Sequence, residues 1–117
     1  MQDKTVDEMI KIIKDALKRH FGNKISNDFG IEIINEDINH REFTLSLNAY
    51  RYYWVRIGCS QCHIGACILY SQNTPVFLDL SQKYWEDDFD IDLFMEEMKK
   101  EIELRIPDKY LKAKGWL

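Results

Sequence analysis

The feature that most constrains the fold is a change in hydrophobic period along the chain. Between Ile31 and Leu80, apolar residues alternate with polar ones at a period of two, most clearly from Phe43 to Ala49. Such alternation is typical of antiparallel strands that bury one face. On either side, over residues 5–21 and 90–106, the apolar residues recur at helical spacing instead. The pattern therefore predicts an α+β fold in the order helix, sheet, helix.

The helix boundaries are predicted from capping residues. Thr5 and Glu8 have the spacing of a capping box at the start of the first helix. Gly22 can adopt the left-handed conformation that ends this helix after residue 21. The second helix is predicted to begin after Asp90, a suitable N-cap, and to end before Pro107, which cannot continue a helix.

The tail from Asp108 to Lys114 can form one more short helix. Asp108 is its expected cap, and Gly115 is expected to stop it.

The sheet is predicted to be an antiparallel meander of four or more strands, with both long helices on one face. Ile31, Ile33 and Asn35 are expected to share a face of the first strand. The second is predicted as one long strand through Gly58, with a bulge near residues 50–52. The predicted strands span residues 31–36, 43–58, 63–70 and 76–80. Polar turns are predicted at residues 37–41 and 71–75.

Length and composition indicate one domain over residues 1–117, because 45% hydrophobic and 31% charged residues are ordinary for a globular chain. No apolar run approaches the roughly 20 residues that span a bilayer. The start, residues 1–4, lacks the features of a signal peptide. We therefore expect a cytoplasmic protein without a membrane partner.

Three cysteines lie close together in the sequence, a pattern found in haem, zinc and catalytic sites. Cys59, Cys62 and His63 match the C-x-x-C-H pattern of haem attachment, which is made outside the cytoplasm, so we interpret this match as coincidence. Together with Cys67 they could ligate zinc, but their spacing resembles no common zinc module, and Cys67 is predicted to face away from the apolar residues of its strand. No motif supports a Cys–His nucleophile. We expect free thiols, no metal, no cofactor and no enzymatic activity.

One candidate binding surface is an aromatic and basic stretch. Tyr50, Tyr52, Trp54 and Arg56 are expected to share one face of the long strand. Aromatics and Arg on an open sheet can stack single-stranded bases. Only three Lys or Arg residues lie between Gly30 and Leu78, so we interpret this face as core or protein-contact surface instead.

The other candidate surface is acidic. Residues 79–103 contain ten carboxylates and three lysines, a local charge of −7 in a chain of net charge −4. Aromatic residues are interleaved with carboxylates in a predicted loop, a combination that can steer and anchor a basic partner. The candidate contact residues are Tyr84, Trp85, Glu86, Asp87, Asp88, Asp90 and Asp92.

The order of elements, the acidity and the C-terminal segment (ELRIPDKYL at 103–111 and KGW at 114–116) resemble bacterial immunity proteins of contact-dependent growth inhibition and polymorphic toxin systems. The resemblance covers about fifteen residues plus the overall architecture. It implies a partner that is a toxin domain, commonly a basic nuclease, held inactive by tight one-to-one binding. It implies no catalytic residues. The immunity protein itself is expected to be a monomer or a weak homodimer.

Three other functions remain open at this point, and one of them is a small-molecule enzyme whose site carries no recognisable motif. A single-stranded nucleic-acid binder with a Whirly-like sheet is suggested by the aromatic strand and opposed by the net charge. A type III secretion chaperone is similarly small and acidic, but it usually has a helix between its third and fourth strands, and residues 71–75 leave no room for one.

Overall fold

The computed structural model describes residues 4–25, 30–71 and 73–117. Residues 1–3 of the expected non-secretory start and Gln72 of the expected turn lie outside the described residues. The helices and strands, in chain order, are α1 (Val6–Phe21), β1 (Ile31–Asp37), β2 (Glu42–Ala49), β3 (Tyr53–Ser60), β4 (His63–Ser71), β5 (Thr74–Phe77), α2 (Ile91–Leu104) and α3 (Asp108–Ala113), with a 3₁₀ turn at Gly22–Lys24 after α1.

The predicted ends of α1 are confirmed. The Glu8 amide donates to Thr5 Oγ1 at 3.1 Å, and the Thr5 amide donates to Glu8 Oε1 at 2.9 Å, which completes the capping box. Gly22, with φ of 53°, follows the last helical residue. An L-residue with a side chain would be strained in this left-handed region, so glycine suits the position.

The start of α2 is also as predicted, while that of α3 is not. Asp90 Oδ1 accepts the amides of Asp92 and Leu93 and so caps α2. At α3 the N-cap position belongs to Pro107, and Asp108 is already the first helical residue. The expected Asp108 cap is therefore wrong by one position. The chain leaves α3 through Gly115, with φ of 76°.

The sheet is a five-stranded antiparallel meander in the order β1-β2-β3-β4-β5. The prediction of one long strand through residues 50–52 is wrong, because the chain reverses there. Tyr50 and Arg51 have φ of 60° and 53°, and the Tyr52 amide donates to the Ala49 carbonyl at 3.0 Å. These features define a tight turn between β2 and β3 rather than a bulge within one strand.

The last strand is shorter than predicted, and β1 contains a bulge. The expected strand at 76–80 is β5, which spans Thr74–Phe77. In β1 the register shifts between Ile33 and Asn35. Ile33 lies opposite Leu45 on the core side, whereas Asn35 lies opposite Thr44 on the other side. The expectation that Asn35 shares a face with Ile33 is therefore wrong, because the bulge inserts one residue between them.

The helices cover one face of the sheet, as predicted. In β3 the buried residues Val55, Ile57 and Cys59 alternate with exposed or half-exposed ones. The buried residues of β2 to β4 form one hydrophobic core with the apolar faces of α1 and α2. The opposite surface of the sheet is called here the open face; the buried residues of all three described α-helices belong to the core on the other side. Within the described residues, no helix is long and apolar enough to cross a membrane.

Candidate functional site

Cross-strand pairing arranges the open face in rows. One row runs across all five strands, and its members are Glu32, Ser46, Arg56, Cys67 and Phe77. The next row contains Asn35, Thr44, Gly58 and Gly65. A third row contains Glu42, Ser60, His63 and Tyr84. Because residues two apart on a strand share a face, these three rows are neighbours on the surface.

A groove of about 380 Å³ lies on the open face, over the row that contains two glycines. Gly58 and Gly65 are cross-strand partners near the β3–β4 turn, so β3 and β4 both lack a side chain at this point. We call this depression the glycine groove. Its lining residues are Asn35, Glu42, Phe43, Thr44, Arg56, Gly58, Cys59, Ser60, His63, Gly65, Ala66, Cys67 and Phe77.

The walls of the glycine groove differ in chemistry. On one side lie Arg56 and Phe77, whose side chain is 76% exposed. Among the residues that the structure describes, no carboxylate forms an ion pair with Arg56. On the other side, Ser60 Oγ donates to Glu42 Oε1 at 2.9 Å, and His63 lies in the same row. The groove therefore has a cation and an aromatic ring on one wall and a carboxylate on the other.

The segment after β5 continues along the part of the β4 edge that β5 does not cover, and it places Tyr84 on the open face. The Ile64 amide donates to the Lys83 carbonyl at 2.9 Å, and the Trp85 amide donates to the Cys62 carbonyl at 2.7 Å. Tyr84 thereby lies opposite His63, and the centroids of the two rings are 5.0 Å apart. Tyr84 is 59% exposed and lies beside the glycine groove.

Trp85 points the other way, into the core. It is 4% exposed, and its ring lies 4.9 Å from that of Phe89. The expectation that Trp85 is a surface anchor is therefore wrong. Side chains alternate along an extended segment, so exposure of Tyr84 and burial of Trp85 follow from the same pairing with β4.

The predicted acidic contact residues divide into two groups. Glu86, Asp87 and Asp88 are exposed in the loop that follows Trp85. Asp90 and Asp92 are exposed too, and each also has a role in joining or capping the helices. Besides capping α2, Asp90 makes two backbone hydrogen bonds with the side-chain amide of Gln82. The Asp90 N–H donates to Gln82 Oε1 at 2.8 Å, and Gln82 Nε2 donates to the Asp90 carbonyl at 2.6 Å.

Asp92 joins α2 to α1. Its Oδ1 lies 2.9 Å from Arg19 Nη2 and 2.8 Å from His20 Nε2. The hydrogen bond from Arg19, followed by that from His20, lowers the pKa of Asp92 below its usual value. Asp90 and Asp92 are exposed like Glu86, Asp87 and Asp88, and all five stay candidates for binding a partner.

The aromatic stretch does not form one surface. Trp54 and Arg56 lie on the open face, with Trp54 39% exposed. Tyr52 lies in the β2–β3 turn, 40% exposed, with its ring 4.8 Å from that of Tyr110. Tyr50 is fully buried. The expectation that the four residues share a face is wrong, because the turn after Ala49 redirects Tyr50 into the core.

Tyr50 is instead a structural centre of the core. Its amide donates to the Lys24 carbonyl at 2.6 Å, and its hydroxyl donates to the Glu103 carboxylate. The Tyr110 hydroxyl donates to the Tyr50 carbonyl at 2.8 Å. Burial, together with the hydrogen bond to Glu103, raises the pKa of Tyr50 well above its usual value. The side chain therefore stays protonated and acts as a donor.

The cysteines and His63 do not converge on one point. Cys59 faces the core, while His63 and Cys67 belong to the open face, as the alternation of β4 predicts for Cys67. Burial raises the pKa of Cys59 to about 11 and also raises that of Cys67, so both stay protonated near neutral pH. Within the described residues there is no group of three or more His, Cys, Asp or Glu side chains that could hold a metal ion.

Sequence reasoning missed the glycine groove. Gln61 and Cys62 form a two-residue turn, with φ of 50° and 66°. Gly58 lies three residues before Gln61 and Gly65 three residues after Cys62, so the turn pairs the two glycines. Recognition of that turn would have paired the glycines, but type I′ turns usually contain Asn or Gly, and neither residue is present. Phe77 and Glu42 carried no signal of their own in the sequence.

Comparisons with protein family models, with curated proteins and with solved structures found no match for this chain.

Proposed function

We propose that this chain is an immunity protein that neutralises a cognate toxin domain by binding it. The single observation that carries the proposal is the exposure of large aromatic side chains on the open face. Phe77, Tyr84 and Trp54 are 76%, 59% and 39% exposed there. Exposed large aromatic side chains are enriched on protein-binding surfaces, where a few such residues supply most of the binding energy.

The charge around this surface supports a basic partner. Glu32 and Glu42 lie on the open face, and Glu86 and Asp88 follow Tyr84 in an exposed loop. A carboxylate-rich rim attracts a basic protein and speeds its association. A nuclease has a basic cleft that binds phosphates, and carboxylates can occupy the same positions. We therefore propose a nuclease toxin as the partner and the cytoplasm as the place where they meet.

The proposed mechanism contains no chemical step. Aromatic side chains would bury themselves in the toxin and slow dissociation, while the carboxylates would raise the association rate. The thiols of Cys59 and Cys67 are buried and protonated, which fits a role in packing. Inhibition would follow from occupancy of the toxin surface alone.

A single-stranded nucleic-acid binder is the second candidate, because Trp54 and Arg56 lie side by side on the open face. Stacking of bases on such a pair is feasible. The acidic surroundings oppose it, since nucleic-acid binding requires several Lys or Arg side chains to displace counterions. Arg56 is the only Lys or Arg in the five strands. Protein binding is therefore favoured.

The test is co-expression of the chain with a toxin domain encoded beside it. The wild type is expected to restore growth and to co-purify with the toxin at one-to-one stoichiometry. Phe77→Ser should weaken both effects. Leu104→Ser is the matched control, because Leu104 is also highly exposed, at 70%, but lies at the end of α2 on the helix layer. A wild-type chain that neither protects cells nor forms a complex would contradict the proposal.

A further inference from the structure

Two glycines lie within neighbouring strands of the sheet without a structural need for glycine. Gly58 and Gly65 are cross-strand partners in β3 and β4. Glycine within a strand is destabilising, because it loses more conformational entropy on folding and packs no side chain. Neither residue has a positive φ. A Cβ added at Gly65 would meet no atom within 4 Å, and one at Gly58 would meet only Thr44 Oγ1, at 3.9 Å.

Neither backbone conformation nor crowding therefore accounts for this pair. Its consequence is that the floor of the glycine groove consists of bare peptide groups. A side chain at Gly65 would project into the groove and fill part of its 380 Å³. Mid-strand glycine is also found where a ligand approaches the backbone closely.

We propose that the glycine groove receives a tyrosine or tryptophan side chain of the bound partner. The inference rests on the proposed function and names the contact at its centre. A flat ring can lie directly on the bare peptide groups of the floor. Phe77 offers an edge or face to a second ring, and the Arg56 guanidinium can stack on it. Both side chains line the groove.

The groove carries one charge of each sign, so it offers no net charge to a charged occupant. A Lys or Arg of the partner would lie near Arg56 as well as Glu42, and an Asp or Glu would lie near Glu42 as well as Arg56, whereas a neutral side chain meets no like charge. Asn35, Ser60 and His63 also line the groove and can hydrogen-bond a hydroxyl or an indole N–H. A ring with one polar edge matches this lining better than a phenylalanine, and Tyr and Trp are the residues most enriched as interface anchors.

A nucleobase is also flat with a polar edge, but its phosphates would be badly placed. Glu32, Asp37 and Glu42 belong to the open face, and Arg56 is the only Lys or Arg in the five strands. Repulsion of the phosphates by these carboxylates favours a protein side chain over a base.

The test uses the free protein with N-acetyl-tyrosinamide and N-acetyl-tryptophanamide as probes, followed by amide NMR shifts. In the wild type, millimolar probe should shift the amide signals of Gly58, Gly65 and Arg56. Gly65→Val should abolish these shifts. Leu69→Val is the matched control, because Leu69 lies on the same strand and face but does not line the groove. Shifts that persist in Gly65→Val, or that are absent in the wild type, would overturn the proposal.

Folding and partner binding are measured separately for the same variants. Gly65→Val should melt at the same temperature as the wild type or higher, because a Cβ at this position meets no atom within 4 Å and a β-branched residue suits a strand better than glycine. Gly65→Ala is a smaller second variant that should also weaken the probe shifts. With a toxin domain in hand, Gly65→Val should lower affinity about tenfold or more, and Leu69→Val should lower it less than about twofold.

The outcomes distinguish this inference from the proposed function. If the toxin binds the wild type and Gly65→Val equally, the groove is not the contact, although the chain remains an immunity protein. If no toxin binds the wild type, the proposed function fails, and the probe shifts alone decide whether the groove takes aromatic groups. If short single-stranded RNA shifts the groove amides at physiological salt and the probes do not, a base is the occupant and the proposal is wrong.

Discussion

Tyr84 and Trp85 are neighbours in sequence but lie on opposite sides of the sheet. Tyr84 lies opposite His63 on the open face, while Trp85 is 4% exposed and packs against Phe89 in the core. Their backbone is held by the hydrogen bonds that residues 83–85 make with the edge of β4. Two residues that the sequence suggests as one binding unit therefore lie in separate environments, one exposed on the open face and one buried in the core.

Replacement of Trp85 by alanine should destabilise the protein. Loss of a buried tryptophan removes apolar burial and leaves a cavity, and we expect the free energy of unfolding to fall by about 3–5 kcal/mol. Urea denaturation measures the change. Tyr84→Ala is the matched control and should alter stability by no more than about 0.5 kcal/mol, because this side chain is largely exposed. Equal stability losses in the two variants would contradict the assignment of the two faces.

Removal of the Tyr50 hydroxyl should reveal the connection between the β2–β3 turn and α2. In Tyr50→Phe the Glu103 carboxylate, which is half-buried, loses its donor. An unsatisfied, partly buried acceptor costs about 1–3 kcal/mol, which urea denaturation would detect. Tyr84→Phe removes a hydroxyl from an exposed ring and should leave the unfolding free energy unchanged. If Tyr50→Phe had the same free energy of unfolding as the wild type, the hydrogen bond would contribute nothing to stability.

The three thiols should differ in reactivity. Cys59 and Cys67 are buried, and burial raises the pKa of both, whereas Cys62 is half-buried in the β3–β4 turn. Near neutral pH, iodoacetamide should therefore alkylate Cys62 first, because the thiolate is the reactive form. Peptide mass spectrometry follows the order of modification. Faster alkylation of Cys59 than of Cys62 would contradict the burial described here.

The pKa of Cys59 also predicts a loss of stability at high pH. Its value in the folded state, about 11, lies above the ordinary value of 9.0. Below pH 9 the thiol is protonated in both states, and its preference for the folded state is fully present. As the pH rises from about 9 to about 11, the unfolded state loses its proton first and is favoured. The decline should be smaller in Cys59→Ala, when both proteins are unfolded by urea across this range.

Reversal of charge in the acidic loop should slow association with a basic toxin. Glu86→Lys combined with Asp88→Lys should lower the association rate roughly tenfold at low salt and less at high salt, because screening weakens steering. The dissociation rate should change little. Surface plasmon resonance measures both rates. Glu96→Lys, on the exposed side of α2, is the control and reverses one carboxylate where the loop variant reverses two. An effect on the logarithm of the association rate that is half as large there would mean that net charge matters and the position of the loop does not.

The open face was accessible to sequence reasoning only in part. The alternation in β4 predicts correctly that Cys67 faces away from Ile64, Ala66 and Ile68. Trp54 and Arg56 share a face as expected, and that face is the open one. The same alternation fails at Tyr50, because it assumes an unbroken strand where Tyr50 and Arg51 take positive φ values. Such values are uncommon for residues other than glycine, so no residue type marked the turn. The register of every residue after Ala49 depends on that turn.

By itself, the sequence determined the α+β class, the antiparallel meander, the capped starts of α1 and α2, and the placement of both helices on one face. These properties follow from local periodicity and from caps that act within four residues. Tertiary structure alone decided that Gly58 meets Gly65, that Tyr84 meets His63, and that Trp85 is buried. Each of these depends on which strand lies beside which and in what register, and a shift of one residue exchanges the two faces of a strand. The glycine groove therefore depends on the register that the β2–β3 and β3–β4 turns set. Neither turn contains glycine or asparagine at its positions of positive φ.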